Sequence, residues 1–302
     1  MLHKLYYNVL ILLLLCLEVH CQYDEKIAKN VFFPLAASAY SDKPEDCLQH
    51  VLKDTEVLAK YFTACSPKKK DLCAGFIAVD HQNKAMMISF RGSTTTEQVI
   101  REIVDAVLVP NVKVFDDASV GYYFYHAFYI MWKSGMQKDF AKYRKTYDNY
   151  EIWISGHSLG AAMATICAVQ ISRIYPTLAP NISLYTFGEP RVGDRSFATY
   201  IENTIPNVYR VIHDKDIVTN IPLILADKFW HHTPAVFYKG DMDIGSKFVI
   251  CKKNDIECTL RYGPLQDSID DHLNYYNMRL SDYGENGCRP VDTRSYVYGD
   301  DI

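Results

Sequence analysis

Several features that this sequence lacks narrow its possible functions. None of its nine cysteines are spaced C-x-x-C, which disfavours a zinc site. A formal net charge of −4 provides no argument for a nucleic-acid partner. No internal repeat, low-complexity tract or linker divides the 302 residues, so a single domain is favoured.

The N-terminal residues follow the secretory signal pattern. Lys4 precedes an apolar run of nine residues, 9–17, and Cys21 lies shortly beyond it. Because a membrane span needs about 20 apolar residues, this run is too short for an anchor. We expect cleavage after Cys21, which makes residues 1–21 a signal peptide and 22–302 the domain of a secreted, extracellular protein.

The cysteine content of an exported chain predicts disulfide bonds. Cys16 and Cys21 leave with the signal, and Cys167, inside an apolar helical run, is predicted to be a buried free thiol. The remaining cysteines allow 15 connectivities, among which sequence alone does not choose. They are Cys47, Cys65, Cys73, Cys251, Cys258 and Cys288. Asn181 begins an acceptor sequence for N-glycosylation.

The most informative stretch is the G-x-S-x-G motif at 156–160. Before it, the β-branched and aromatic residues of 150–154 predict a buried strand, and after it the alanines from Ala161 predict a helix. Between a strand and a helix, this motif holds a serine in a strained turn with its hydroxyl exposed. Ser158 is therefore the candidate nucleophile, and the backbone N–H of Leu159 can face a developing oxyanion.

The rest of the pattern alternates strands with helices, which predicts a mostly parallel sheet with covered faces. Residues 97–107 place their apolar side chains on one helical face, so that helix needs a partner for this face. The predicted strands are 75–80, 84–90, 183–187 and 208–213, and the predicted helices are 24–57 with a break near Pro44, 122–146 and 194–205.

A serine nucleophile needs an imidazole base, and the base needs a carboxylate to orient it. In α/β-hydrolase-like chains the acid and then the histidine follow the serine. Asp216 follows the predicted strand 208–213 in a loop at the carboxyl edge of the sheet and is the best-placed acid, with Asp214 as its competitor. The histidines that follow are His231, His232 and His272, and the pattern alone leaves a surface role open for His272. Of the two other histidines considered, His157 is predicted to be a packing residue and His213 to be structural.

Five segments, in this order, carry a family resemblance. They are 88–93 (ISFRGS), 156–160 (GHSLG), 186–194 (TFGEPRVGD), 216–218 (DIV) with Ile221-Pro222, and 271–273 (DHL) with Tyr275. The chain resembles the class 3 (fungal-type) triacylglycerol lipases, particularly their secreted animal members. The resemblance covers nearly all of the mature chain. It implies an α/β-hydrolase-type fold, with a mostly parallel central sheet, helices on both faces and a helical lid.

The resemblance also implies roles for individual residues. Ser158 matches the nucleophile, Asp216 the triad acid and His272 the base. Ser93 matches the oxyanion-hole residue that acts together with Leu159. The segment from about 95 to 106 matches the lid. The pairs implied for the disulfide bonds are Cys47–Cys288, Cys65–Cys73 and Cys251–Cys258.

Taken together, these implications predict a secreted lipase that hydrolyses acylglycerols, or other lipid esters, at an oil–water interface through an acyl-enzyme. We expect no cofactor, no metal, no nucleic-acid partner and no transmembrane anchor, and a monomer is the default. The alternatives are a phospholipase or a soluble-ester (feruloyl-type) esterase of the same fold. A non-catalytic secreted lipid-binding protein is the alternative outside the enzymes.

Overall fold

An eight-stranded sheet organises the chain in the computed structural model, which describes residues 23–64, 72–93, 110–222, 228–252, 258 and 268–290. The described strands are β1 (Thr55–Ala64), β2 (Leu72–Asp80), β3 (Ala85–Phe90), β4 (Val112–Phe115), β5 (Ala118–Val120), β6 (Glu151–His157), β7 (Ile182–Phe187), β8 (Asn207–His213), β9 (Ala235–Tyr238), β10 (Phe248–Cys251), β11 (Asn274–Tyr275) and β12 (Met278–Arg279). The large sheet has the order β1-β2-β3-β6-β7-β8-β9-β10. Its centre, from β3 to β9, is parallel, and β1, β2 and β10 pair antiparallel at the two edges.

Helices connect the strands and cover the sheet. They are α1 (Glu25–Ile27, continued by a π-helical stretch Ala28–Phe32 and by Phe33–Ser38), α2 (Pro44–Val51), α3 (Tyr122–Met131), α4 (Gln137–Thr146), α5 (Leu159–Ile174), α6 (Arg195–Thr204), α7 (Ile269–Leu273) and α8 (Leu280–Glu285). A π-helical stretch, Trp132–Met136, separates α3 from α4, and 3₁₀ turns lie at Pro176–Asn181 and Ile217–Asn220. In the part of the chain described, no helix is both long and apolar enough to cross a bilayer.

The two faces of the sheet belong to two separate hydrophobic clusters. Successive side chains of a strand point to opposite faces. In β3, Ile88 accordingly packs into the cluster that contains α3 and α5. Its neighbour Met87 packs into the cluster that contains α1, α2 and α8. Both faces are therefore buried under helices, which confirms the predicted fold class.

The parallel strands end at one edge of the sheet, and the candidate residues follow them there. Ser158 comes directly after β6, Gly188 directly after β7 and Asp216 shortly after β8. Gly92-Ser93 lies shortly after β3. In open α/β sheets this carboxyl edge is where binding sites are formed.

The predicted strands at 75–80, 84–90, 183–187 and 208–213 correspond to β2, β3, β7 and β8, and the helices at 122–146 and 194–205 are also present. The prediction of a helix through residue 57 was wrong, because β1 begins at Thr55. In the edge strand β1 only one residue, Tyr61, is buried, so its sequence shows little alternation, and pairing with β2 decides its conformation. The expected lid at 95–106 lies outside the described residues.

The described disulfide bonds fasten loops and termini to this core. Cys47 of α2 is bonded to Cys288, and Cys251 is bonded to Cys258. Cys73 is disulfide-bonded, while its expected partner Cys65 lies outside the described residues. As predicted, Cys167 is a buried free thiol. Asn181 is exposed at the end of its 3₁₀ turn.

Candidate active site

The turn between β6 and α5 holds Ser158 in a backbone conformation that L-residues rarely adopt, with φ 59° and ψ −127°. Glycines on both sides make the turn sterically possible. A Cβ on Gly156 would lie 2.3 Å from the carbonyl oxygen of Gly160, and a Cβ on Gly160 would lie 2.2 Å from that of Phe90. The strand and the helix therefore approach so closely that only glycine fits at either position.

The carboxylate of Asp216 lies against the imidazole of His272. The Nδ1 atom of His272 is 2.9 Å from one carboxylate oxygen and 3.0 Å from the other. Asp216 also accepts hydrogen bonds from the Tyr275 hydroxyl, at 2.6 Å, and from the Val218 backbone N–H, at 2.8 Å. The side chains of Asp216 and His272 are buried, and so is Ser158. The alternative acid, Asp214, is half-buried in the preceding turn.

Electrostatics set the protonation of this pair. Burial on its own raises the pKa of Asp216. Electrostatic interaction with His272 and the hydrogen bonds from His272 and Tyr275 outweigh burial and hold the pKa of Asp216 below its usual value. An ionised carboxylate can only accept, so Nδ1 of His272 carries the ring proton and Nε2 keeps its lone pair. Neither Nε2 of His272 nor Oγ of Ser158 has a hydrogen-bond partner among the described residues. The arrangement can thus take a proton from a serine hydroxyl and activate it for attack on a carbonyl.

Short contacts fix the two loops that carry Asp216 and His272. The hydroxyl of Thr219 donates to the carbonyl of Asp216 at 2.9 Å, and the backbone N–H of Ser268 donates to the carbonyl of Lys215 at 2.7 Å. Nδ1 of His213 donates to the carbonyl of Asn274 at 2.6 Å. His213, predicted to be structural, therefore holds the segment that follows His272.

The two predicted oxyanion residues are Leu159 and Ser93. Leu159 is the first residue of α5, where no carbonyl one turn earlier is available for its N–H. Gly92 lies against the elbow, because a Cβ on Gly92 would be 3.1 Å from the Cβ of Ser158. Ser93 follows and is half-buried. The structure thus places Leu159 next to Ser158, and Ser93 next to Gly92, which packs against the same turn.

The adjacent histidines His231 and His232 are buried beside this site but do not join it. Nε2 of His231 donates to the carbonyl of Thr219 at 2.8 Å, and Nε2 of His232 lies 3.2 Å from a carboxylate oxygen of Glu189. Burial, and then the charges of two arginines, hold the pKa of His231 well below its usual value. Within the described ranges, no group of three or more His, Cys, Asp or Glu side chains is placed to hold a metal ion.

Sequence reasoning gave no role to Tyr275 and treated His157 as a packing residue. Tyr275 follows His272 by three residues and belongs to the fifth segment of the family resemblance, which is the signal that pointed to it. His157 is in fact hydrogen-bonded through both ring nitrogens, to the Tyr40 hydroxyl at 2.8 Å and to the carbonyl of His272 at 2.7 Å.

A family model and a nematode protein are similar to this chain. Residues 87–226 match the family model described as Lipase (class 3), a range that contains Ser93, Ser158 and Asp216. A protein of Caenorhabditis elegans, Lipase ZK262.3, is 27% identical in an alignment that covers 96% of this chain and 92% of its own length. The chain is thus similar to the class 3 lipases over its central part and, in the nematode protein, over nearly its whole length. The predicted resemblance is thereby confirmed.

Fungal lipases of this kind share the fold. The secreted mono- and diacylglycerol lipase A of Penicillium cyclopium is 31% identical over 53% of this chain, and the match spans 52% of that protein, about half of its length. The structure of lipase II from Rhizopus niveus superposes with a TM-score of 0.74 at 24% identity, and covers 85% of this chain and 97% of its own. A second structure, of a triacylglycerol lipase whose catalytic centre is a serine protease triad, has a TM-score of 0.72 at 23% identity.

Proposed function

We propose that this protein is a secreted lipase that hydrolyses the carboxylic ester bonds of acylglycerols. Ser158 is the nucleophile, His272 the general base and Asp216 the carboxylate that orients the base. The observation that carries the proposal is the buried Asp216–His272 pair, which leaves Nε2 as the basic nitrogen, beside a serine held at φ 59° in a strand–helix elbow. Such a constellation is suited to acyl transfer.

The proposed reaction proceeds in two halves. His272 Nε2 takes the proton of Ser158 as Oγ attacks the ester carbonyl carbon, and the backbone N–H of Leu159 together with Ser93 binds the oxyanion. When the tetrahedral intermediate collapses, the C–O bond breaks and the alcohol leaves with the proton from His272. Water, deprotonated by the same nitrogen, then attacks the acyl-enzyme and releases the fatty acid.

The substrate class rests on the family and on the sequence of the lid segment. The relatives with informative names act on mono- and diacylglycerols or on triacylglycerols. The sequence of the lid segment, at about 95–106, predicts a helix in which Val99, Ile100, Ile103 and Val104 would share one face. An enzyme for small soluble esters gains nothing from exposing such a face, whereas one acting on oil droplets does.

The test is hydrolysis of a short-chain triacylglycerol across its solubility limit, with wild type and Ser158→Ala. Ser172→Ala is the matched control, because it removes an equally buried hydroxyl from α5, the helix that follows Ser158, where this hydroxyl bonds to the carbonyl of Val169. We expect the wild-type and control rates to rise steeply once droplets form, and Ser158→Ala to lose at least 10³-fold.

Each other result replaces part of the proposal. A wild-type rate that saturates below the solubility limit without a jump would keep the serine hydrolase and reject the lid. Hydrolysis of a phospholipid or of a feruloyl ester in preference to the triacylglycerol would reassign the substrate. A wild-type rate no higher than that of Ser158→Ala on any of these esters would favour a lipid-binding protein.

Secretion is part of the same proposal, with residues 1–21 as a signal peptide and 22–302 as one domain. The described disulfide bonds support it, because such bonds persist in oxidising compartments. When the protein is expressed in a eukaryotic secretory host, the culture medium should contain a protein that begins at residue 22. Asn181→Gln should remove a glycan, seen as a faster band on a gel. Intracellular protein with residues 1–21 retained would overturn this part.

A further inference from the structure

A chain of hydrogen bonds runs behind the three catalytic side chains and does not include any of them. It begins at Tyr40, shortly after α1, whose hydroxyl lies 2.8 Å from Nδ1 of His157. It continues from Nε2 of His157 to the backbone carbonyl of His272, at 2.7 Å. The imidazole of His157 also stacks on that of His272, with ring centroids 4.5 Å apart. All three residues are at least nine-tenths buried.

The direction of each bond follows from the chemistry of the groups. A carbonyl oxygen only accepts, so Nε2 of His157 carries a proton and donates to His272. Burial, and next the neighbouring His272, lower the pKa of His157 to about 3, so the ring is neutral at ordinary pH. Its Nδ1 therefore has a lone pair, and the Tyr40 hydroxyl donates to it.

The phenol oxygen of Tyr40 also contacts the segment Gly92-Ser93, which we call the oxyanion loop. The backbone N–H of Gly92 hydrogen-bonds to Tyr40, an interaction that lowers the pKa of the phenol against the larger opposing effect of burial. The contact is close, because a Cβ on Gly92 would lie 2.3 Å from the Tyr40 oxygen. Gly92 immediately precedes Ser93. One relay thus joins the oxyanion loop, the elbow and the segment of the base.

We propose that Tyr40 and His157 are positioning residues, which hold the oxyanion loop and the backbone of His272 in register with Ser158. The inference deepens the proposed function and rests on it. Their bonds need not change during the reaction. Their effect is to fix distances that ester hydrolysis requires, and misplacement of reacting groups by about 1 Å costs on the order of 10²-fold in rate.

The relay depends on the hydroxyl of Tyr40 and on both ring nitrogens of His157. Loss of the Tyr40 hydroxyl leaves the buried Nδ1 of His157 without its donor, so the ring can turn away and release the carbonyl of His272. Phenylalanine at 157 keeps a flat ring against His272 but removes both bonds. Glutamine at 157 retains an N–H that can reach this carbonyl, and should restore part of the activity.

The experiment measures the rate of Ser158 labelling by a fluorophosphonate probe, together with kcat and KM for p-nitrophenyl butyrate. The variants are Tyr40→Phe, His157→Phe and His157→Gln. The matched control is Tyr276→Phe, because Tyr276 is also buried in the cluster with α1, and its hydroxyl bonds to that of Tyr23 at 3.1 Å, outside the relay. Thermal unfolding is recorded for each.

We expect Tyr40→Phe and His157→Phe to reduce labelling and kcat about 10- to 100-fold with KM within about twofold of wild type. His157→Gln should recover part of the loss, and Tyr276→Phe should label like wild type. Because the two residues act in one relay, Tyr40→Phe combined with His157→Phe should be little slower than either alone.

Equal labelling of Tyr40→Phe and Tyr276→Phe would overturn the proposal, as would full additivity of the two relay variants. Should Tyr40→Phe fail to fold, His157→Phe and His157→Gln decide on the same terms, and equal rates for these two would also overturn it. Wild-type protein that the probe does not label at Ser158 would instead refute the proposed function, so the two failures are distinguishable.

Discussion

Gly188 provides the sharpest test of how much the reaction depends on the Asp216–His272 geometry. Its backbone has φ +59°, where an L-residue is strained. A Cβ there would lie 2.7 Å from a carboxylate oxygen of Asp216 and 2.8 Å from Nδ1 of His272. Ordinary contacts of a Cβ begin near 3.4 Å, so both partners of the pair have to move by about 0.6–0.7 Å.

Gly188→Ala therefore has two separable costs. The positive φ costs about 1–2 kcal/mol of stability. Displacement of the pair should reduce kcat on the order of 10²-fold, because a shift of this size approaches the misplacement that has such an effect. Gly240→Ala is the matched control, since its φ is +78° and nothing lies within 4 Å of the added Cβ. It should lose comparable stability and keep its activity.

The assay is hydrolysis of p-nitrophenyl butyrate, with thermal unfolding of both variants measured in parallel. Gly188→Ala that retains more than about a third of wild-type kcat would show that the pair tolerates displacement. Equal losses of activity in the two variants would show that backbone strain, and not the contact with Asp216 and His272, is responsible. Either result would refute the reasoning.

Three further predictions concern the same structure. Asp216→Asn should lower kcat on the order of 10⁴-fold in steady-state assays, while Asp214→Asn should stay within a few-fold of wild type; similar losses would remove the distinction between the two acids. The pKa of His157 is about 3 in the folded protein and about 6.5 in the unfolded chain, so between these values only the unfolded chain binds the proton. The free energy of unfolding should therefore decrease as the pH falls from about 6.5 to about 3, by up to about 1.4 kcal/mol per pH unit. Urea titrations at several pH values should show a flatter dependence for His157→Gln than for wild type. Replacing both Cys47 and Cys288 by serine should cost up to about 5 kcal/mol of stability and leave KM unchanged, and an unaltered urea midpoint would contradict this.

Local sterics explain why the elbow was predictable from the sequence. Gly156 approaches the backbone of Gly160, within the motif itself, and Gly160 approaches the backbone of Phe90 in the neighbouring strand β3. The need for glycine at both positions is therefore visible in the motif. The choice of Asp216 over Asp214 was open from the pattern alone, because it depends on which carboxylate faces a histidine 56 residues later in the chain. The position after the strand favoured Asp216, and the family resemblance decided between the two.

The relay could not be predicted, because its bonds join residues far apart in sequence. Tyr40 and His157 are separated by 117 residues, and neither lies in a pattern that marks a hydrogen-bonded role. Strand β1 was missed for a related reason. Its half-buried residues lack a clear period, and only pairing with β2 makes the segment extended.

The bond between Cys47 and Cys288 makes most of the chain a covalent ring, with a sequence separation of 241. A single protease cut in an exposed turn inside this ring, such as that between β2 and β3, opens the ring without releasing a fragment. A nicked molecule therefore keeps its mass and its pieces until a reductant is added. Gels run without reductant would count it as intact, so the integrity of a preparation has to be judged under reducing conditions.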